Sequence, residues 1–303
     1  MQIHLYTLSW NEAKILPFFF RHYDRFVDRY FFFDDGSDDG TLEMLEDHPR
    51  VEVRKLERKF PSFLQSATHV RNNAWKASRG VADWVIATDV DEHLYHEDIR
   101  SYLAGCRSRG VTWLPALGYQ MITQAFPEDG ALLCRDHRMG VPYRLFDKVG
   151  VFDPDAIAET NFGPGRHFAG PSGRIKYADR DVLLNLHYKY LGADFVNRRY
   201  AELLSKIGGD KADEGAVDHW AFHASQVERW MKAWADKAID VGDRSIGRAT
   251  MASHPMDPSW WRPPPWWRLR WWHAHWWWTR VPARLRRIVS RMRRAALQSR
   301  RAA

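Results

Sequence analysis

The sequence predicts a three-layer α/β sandwich on a mostly parallel sheet, followed by a helical basic tail. Three observations point there. Short apolar strands alternate with helical stretches across short connections. Two of those strands empty directly into acidic loops, as happens where an open sheet binds ligands at its carboxyl edge. The composition then changes abruptly after Asp257.

Element by element, Ile3 to Leu8 is β-prone, and Ser9-Trp10-Asn11-Glu12 after it reads as a capping box that opens a helix to about Tyr23, with Pro17 inside it. Asp28 to Phe33 is an apolar strand that stops at Asp34-Asp35-Gly36-Ser37-Asp38-Asp39-Gly40-Thr41. Thr41 to Leu45 begins a helix, Val51 to Leu56 alternates as a strand, and Ala67 to Ser78 reads as a helix carrying Arg71, Asn72 and Asn73. Asp83 to Thr88 is a second buried strand, running into Asp89-Val90-Asp91-Glu92. A helix over Glu97 to Arg107 precedes a strand at Val111 to Leu114.

With 303 residues, 45% hydrophobic and 27% charged, the chain has an ordinary globular balance and room for a sizeable core. Two cysteines, Cys106 and Cys134, argue against a disulfide-stapled module and against a zinc site built on Cys-x-x-Cys pairs. No run of about 18 apolar residues is present, so no membrane-spanning helix is expected, and Met1 to Trp10 reads as a strand, not a signal peptide. The first strand is followed by no Gly-x-Gly-x-x-Gly turn and the chain holds no P-loop, which disfavours a dinucleotide enzyme or a P-loop NTPase.

The acidic clusters carry the chemistry. On an extended chain Asp89 and Asp91 share a face, and two such carboxylates repel unless a cation lies between them. Hard divalent ions, Mn²⁺ or Mg²⁺, take oxygen ligands and leave positions for diphosphate oxygens. Such an ion would neutralise charge building on a departing diphosphate. A solvated acidic turn is the bland alternative.

Asn11-Glu12 after the first strand, Asp35-Gly36-Ser37-x-Asp39-Gly40-Thr41 after the second, Arg71-Asn72 on a helix and Asp89-Val90-Asp91 after the fourth occur in an order that resembles the nucleotide-sugar-dependent glycosyltransferases of family 2, which have the GT-A fold. Asp91-Glu92 is similar to a subset in which Asp-x-Asp is extended by Glu. The resemblance covers roughly the first 120 residues well, is weaker between Gly118 and Gly192, and leaves out the tail. It implies that Leu8 and Glu12 line the nucleoside pocket and that Asp35, or its neighbour Asp34, accepts from the base. It also implies that Arg71, with Asn72 beside it, approaches the diphosphate, that Asp89 contacts the ribose or a metal-bound water, and that Asp91 holds the metal.

The Gly/Pro-rich segment from Val141 to Phe168 reads as a loop folding over the site. An inverting transfer needs a carboxylate to take the acceptor's proton. Glu159 is the first candidate because the segment before it resembles the one before the family's base, and Asp136 and Asp155 are the others. His187, in Asn185-Leu186-His187-Tyr188-Lys189, could complete the metal shell or touch the leaving phosphate, and related enzymes with Asp-x-Asp-Glu carry a similar His-Tyr segment. Lys189 could pair with diphosphate, and Phe195 to Leu204 reads as a helix.

Residues 258–303 contain twelve arginines, no lysine and no acid, a charge of +12 against a chain total of +7, which leaves residues 1–257 at −5. Nine of the sixteen tryptophans fall between Trp260 and Trp278. From Val281 onward apolar positions recur at helical spacing among arginines, the pattern of a helix lying on an anionic membrane surface. The acidic body argues against nucleic acid lying across it.

The expected organisation is residues 1–120 as the nucleotide-sugar-binding half, 121–257 as the acceptor-binding and catalytic half with its helices, and 258–303 as the membrane-surface tail. The expected activity is metal-dependent, inverting transfer of a sugar (hexosyltransferase-like) from a nucleotide diphosphate sugar to a glycan, lipid-linked or protein acceptor, as in polysaccharide biosynthesis. The expected location is the cytoplasm or the inner face of the plasma membrane. A nucleotidyltransferase and a binding protein driven by the Arg/Trp tail are the competing readings.

Overall fold

A computed structural model describes residues 1–178, 183–207 and 221–243, so the tail and its expected helix lie outside the described residues. The elements are β1 (Ile3–Ser9), α1 (Leu16–Tyr23), β2 (Arg29–Asp34), α2 (Thr41–Glu46), β3 (Val51–Lys55), α3 (Phe63–Asn73), β4 (Trp84–Ala87), β5 (Glu92–Tyr95) and α4 (Ile99–Ser108). Then follow β6 (Trp113–Thr123), α5 (Leu133–Asp136), β7 (Met139–Pro142), β8 (Lys148–Phe152), β9 (Ile157–Glu159), β10 (Ser172–Gly173), β11 (Leu184–Leu191), α6 (Ala193–Ile207), α7 (Val227–Ala235) and β12 (Ile239–Asp240). This is a mixed α/β fold.

The ten-stranded sheet runs β12-β7-β6-β8-β4-β1-β2-β3, with β11 paired to both β6 and β5. Strands β3, β2, β1 and β4 are mutually parallel, joined by crossovers that carry helices. Beyond them β8 enters antiparallel between β4 and β6, and β11 lies parallel to β6 with His187 opposite Gln120. The run of four parallel strands therefore belongs to the N-terminal half, with β6 and β11 a further parallel pair. β5 went unread in the sequence, because Glu92-His93-Leu94-Tyr95 looks polar although its first three residues are buried.

The helix after β1 departs from expectation. Ser9 ends the strand and donates its hydroxyl to Asp34, and Glu12 pairs with Arg199, so no capping box forms. The helix starts at Leu16, which puts Pro17 in its first turn, where a missing N–H costs nothing. Its buried face, Leu16, Phe18, Phe19, Phe20 and Tyr23, packs with Tyr30 and Phe32 of β2 in the main core. No helix among the described residues is long and apolar enough to cross a membrane.

Candidate active site

The carboxyl ends of β1, β2 and β4 share one edge, and the chain turns sharply after β4. Val90 and Asp91 form a turn, not an extended strand, so the two aspartates do not share one face as the spacing suggested. Like charges separate there, and each finds its own partner. Asp89 Oδ1 accepts from Arg71 Nη2 at 2.6 Å, and Asp89 Oδ2 lies 3.6 Å from Arg166 and 4.0 Å from Lys148. Burial alone would raise the Asp89 carboxyl; Arg71, then Arg166 and Lys148, more than reverse that and hold it well below the usual carboxylate range.

Asp91 faces His187, with Oδ2 3.3 Å from Nε2. Burial pushes Asp91 up, and the imidazole outweighs it to leave the pKa lowered. His187 is oriented from behind. The Gln120 amide nitrogen donates to the carbonyls of Met121 and His187, so its Oε1 must face His187 Nδ1, 2.8 Å away. That fixes the hydrogen on Nδ1 and turns the Nε2 lone pair toward a carboxylate oxygen. Two acceptors at 3.3 Å are stable only with a proton or a metal ion between them.

Phe146 stacks on the other face of the imidazole, with centroids 3.8 Å apart. It can do so because residue 118 is glycine: a Cβ there would collide with the Phe146 backbone.

Glu92 is almost wholly buried and belongs to a different pair of cations. Lys148 Nζ donates to Oε1 at 2.5 Å and the Arg166 guanidinium to Oε2. Burial again pushes the carboxyl up, and Arg166 with Lys148 brings it down. Asp91, Glu92 and His187 form a cluster of metal-ligating type, each offering an atom within 4.8 Å of the others. Glu92 is already saturated by its cations, so Asp91 and His187 are the groups that could serve a metal.

Leu8 and Arg71 line a small cavity of about 20 Å³ with Tyr6, Phe33, Trp75 and Arg166. Glu12 sits close enough to Asp91 and Asp89 to feel their charge. Burial pushes its carboxyl up to about 8, against the pull of Arg199 and with the help of both aspartates and Asp39.

Other expected residues are engaged elsewhere. Asp34 accepts from Ser9, from the backbone N–H groups of Gly36 and Ser37 and from the Ser37 hydroxyl, which makes it the organiser of a turn. Asp35 is gripped by Arg58 through both oxygens at 2.8 and 2.6 Å and by Lys206 of α6 at 2.8 Å. Asn72 bonds to Thr160 and to the backbone of Phe162, tying α3 to the loop that delivers Arg166. Glu159 gives both oxygens to Lys76 at 2.7 and 2.8 Å and is not brought to the aspartates.

Arg166, Lys148 and Gln120 escaped sequence reasoning. Arg166 had a signal: it lies in Gly163-Pro164-Gly165-Arg166-His167, inside the loop expected to cover the site. Lys148 and Gln120 had none, because each acts only through strand pairing across β6, β8 and β11.

No protein-family model matches the chain, and no curated protein does. Among solved structures it is similar to S. aureus TarS 1–349, at 10% identity over 73% of this chain and 69% of that one, with a TM-score of 0.36. The same protein in complex with UDP-GlcNAc gives 12% identity, 73% and 70% coverage and a TM-score of 0.34. The 4-diphosphocytidyl-2C-methyl-D-erythritol synthase of Anaerococcus prevotii gives 11% identity, 50% and 71% coverage and a TM-score of 0.31. Likenesses this faint place no residue, and the chemistry rests on the site itself.

Proposed function

We propose that the chain is a metal-dependent glycosyltransferase that moves a sugar from a nucleotide diphosphate sugar to an acceptor hydroxyl, with inversion. One observation supports this most: Asp91 and a Gln120-oriented His187 face each other at the carboxyl edge of a parallel sheet, beside Arg71. The donor set fits a divalent ion, because a carboxylate oxygen and an imidazole nitrogen converge at 3.3 Å, where a metal can take the place of the proton that otherwise joins them. Asp91 and His187 would hold Mn²⁺ or Mg²⁺, which supplies charge neutralisation of the leaving diphosphate.

The chain's own groups bind and orient the donor. Leu8 and Phe33, at the carboxyl ends of β1 and β2, would flank the nucleoside. Arg71 uses one Nη on Asp89 and keeps the rest of its fork for a phosphate. Lys189 has no ion-pair partner among the described residues; its Nζ rests 4.4 Å over the Tyr200 ring, near Asp91. It is the cation left for the second phosphate. The tail, residues 258–303, would hold the enzyme against an anionic membrane surface.

A thermal-shift screen of nucleotide sugars with and without Mn²⁺ tests the reading. Binding to the native state alone raises the melting point. A rise with at least one nucleotide sugar that requires the ion is expected. No rise with any donor, or an equal rise in EDTA, contradicts it.

A further inference from the structure

A row of aromatic rings leads away from the acid cluster over the C-terminal helices. It starts at Phe146, stacked on His187, and passes to Tyr143 with centroids 5.3 Å apart. Tyr143 meets Trp234 at 5.9 Å, Trp234 meets Trp230 at 5.8 Å, and Trp230 meets Phe222 at 6.0 Å. The rings from Phe146 to Trp230 are partly exposed and Phe222 is 58% exposed. We infer that this row is the track on which an oligosaccharide acceptor lies, its reducing or non-reducing end delivered to the Asp91–His187 cluster. The inference rests on the glycosyl-transfer reading of that cluster and names the acceptor class it takes.

Packing covers these rings only in part. Helix α7 buries Val227 and Met231, one turn apart, as its core stripe against Tyr190, Val196 and Tyr200. Trp230 and Trp234 repeat the same spacing on the flank, packed in part against that core, with Trp234 edge-on to Tyr190 at 4.8 Å, and in part exposed. A contiguous file of part-exposed aromatics is an apolar patch of the kind that marks a binding surface. The match to a glycan is chemical. One face of a pyranose presents a patch of C–H groups, apolar and slightly electropositive, and an aromatic ring presents the negative face of its quadrupole. A file of rings at near-regular spacing suits a polymer of rings and ends where the transfer occurs.

The charge around the row favours a neutral ligand. The outer face of α7 mixes Glu228 with Arg229 and Lys232, and Asp236 follows directly. Anionic lipid or a nucleic-acid strand would call for unopposed cations there.

The test applies the full chain to an array of immobilised oligosaccharides of increasing length. Wild type, Trp230→Ala, Trp230→Tyr and Phe222→Ala are compared, and donor hydrolysis is measured on the wild type. The expected result is retention that grows with glycan length. Trp230→Ala weakens the long glycans about tenfold, and Trp230→Tyr restores most of it. Phe222→Ala affects only the longest. Wild-type donor hydrolysis without length-dependent retention overturns the track and leaves the transfer reading standing; loss of both removes the two together. Retention indifferent to Trp230→Ala, or Trp230-dependent binding to anionic vesicles or single-stranded DNA in place of glycans, also overturns it.

Discussion

Arg166 is 1% exposed and holds φ at +58°, a backbone region that side-chain-bearing residues rarely adopt. It is kept there by what its guanidinium does: it bonds to Glu92, to the Ala87 carbonyl at 2.6 Å, and lies near Asp89. Removing it leaves Glu92 buried with Lys148 alone. Breaking a buried pair in this way typically costs about 3–5 kcal/mol. Arg166→Ala should therefore lower the melting temperature sharply, and Arg166→Lys should not restore it, since one ammonium cannot reach both Glu92 and Ala87. Calorimetry of the two variants checks this; a melting point unchanged in Arg166→Ala contradicts the role. Glu159 invites the opposite outcome. Both its oxygens serve Lys76, so Glu159→Gln should cost less than about tenfold in turnover, a loss far below the removal of a general base. A loss of about a thousandfold would return the base role to Glu159. The aspartates at the site were legible in the sequence because they follow buried strands directly. The cations that neutralise them were not, because Lys148 and Arg166 reach Asp89 and Glu92 across more than fifty residues of chain.

At the scale of elements, α1 against β5 carries a pH dependence. His22 bonds through Nε2 to the Leu94 carbonyl at 2.8 Å, stacks on His93 at 4.6 Å, and has no protein partner for Nδ1. Burial holds its pKa down to about 4. The unfolded chain, with an ordinary imidazole near 6.5, then binds the proton more tightly than the native one. His22 contributes fully above about pH 6.5, and its contribution is lost as pH falls from there toward 4, at roughly 1.4 kcal/mol per pH unit. Melting temperatures measured at pH 7.5 and pH 5 should show a drop that shrinks in His22→Phe; an equal drop in both proteins contradicts the assignment. The strand–helix alternation behind β1 to β4 was readable because each strand is a short apolar run. The start of α1 was misread because Ser9 and Glu12 have the right spacing for a cap, while Pro17 and the pairing of Glu12 with Arg199 decide otherwise. β6 was seen only in its first residues, since Gly118 and Gln120 interrupt its apolar run for reasons that lie in Phe146 and His187.

Over the whole molecule, charge divides the sequence into an acidic body and a strongly basic tail. Residues 1–257 carry −5 and residues 258–303 carry +12. Deleting 258–303 should leave donor hydrolysis intact and abolish sedimentation with anionic vesicles, with a salt dependence expected of arginine–headgroup contacts. Vesicle binding that survives the deletion would place the membrane contact in the body. Asp35 adds a constraint at this scale, because Lys206 of α6 and Arg58 both grip it, so the C-terminal half closes over the edge where a nucleoside would enter. Whether Asp91 and His187 grip a divalent ion that serves the donor's diphosphate is decided by nucleotide-sugar hydrolysis, measured on wild type and Asp91→Ala, each with Mn²⁺ and with excess EDTA. Turnover should appear only in wild type with the ion, with Asp91→Ala folded and inactive. Equal turnover in EDTA, or full activity in Asp91→Ala, would contradict it.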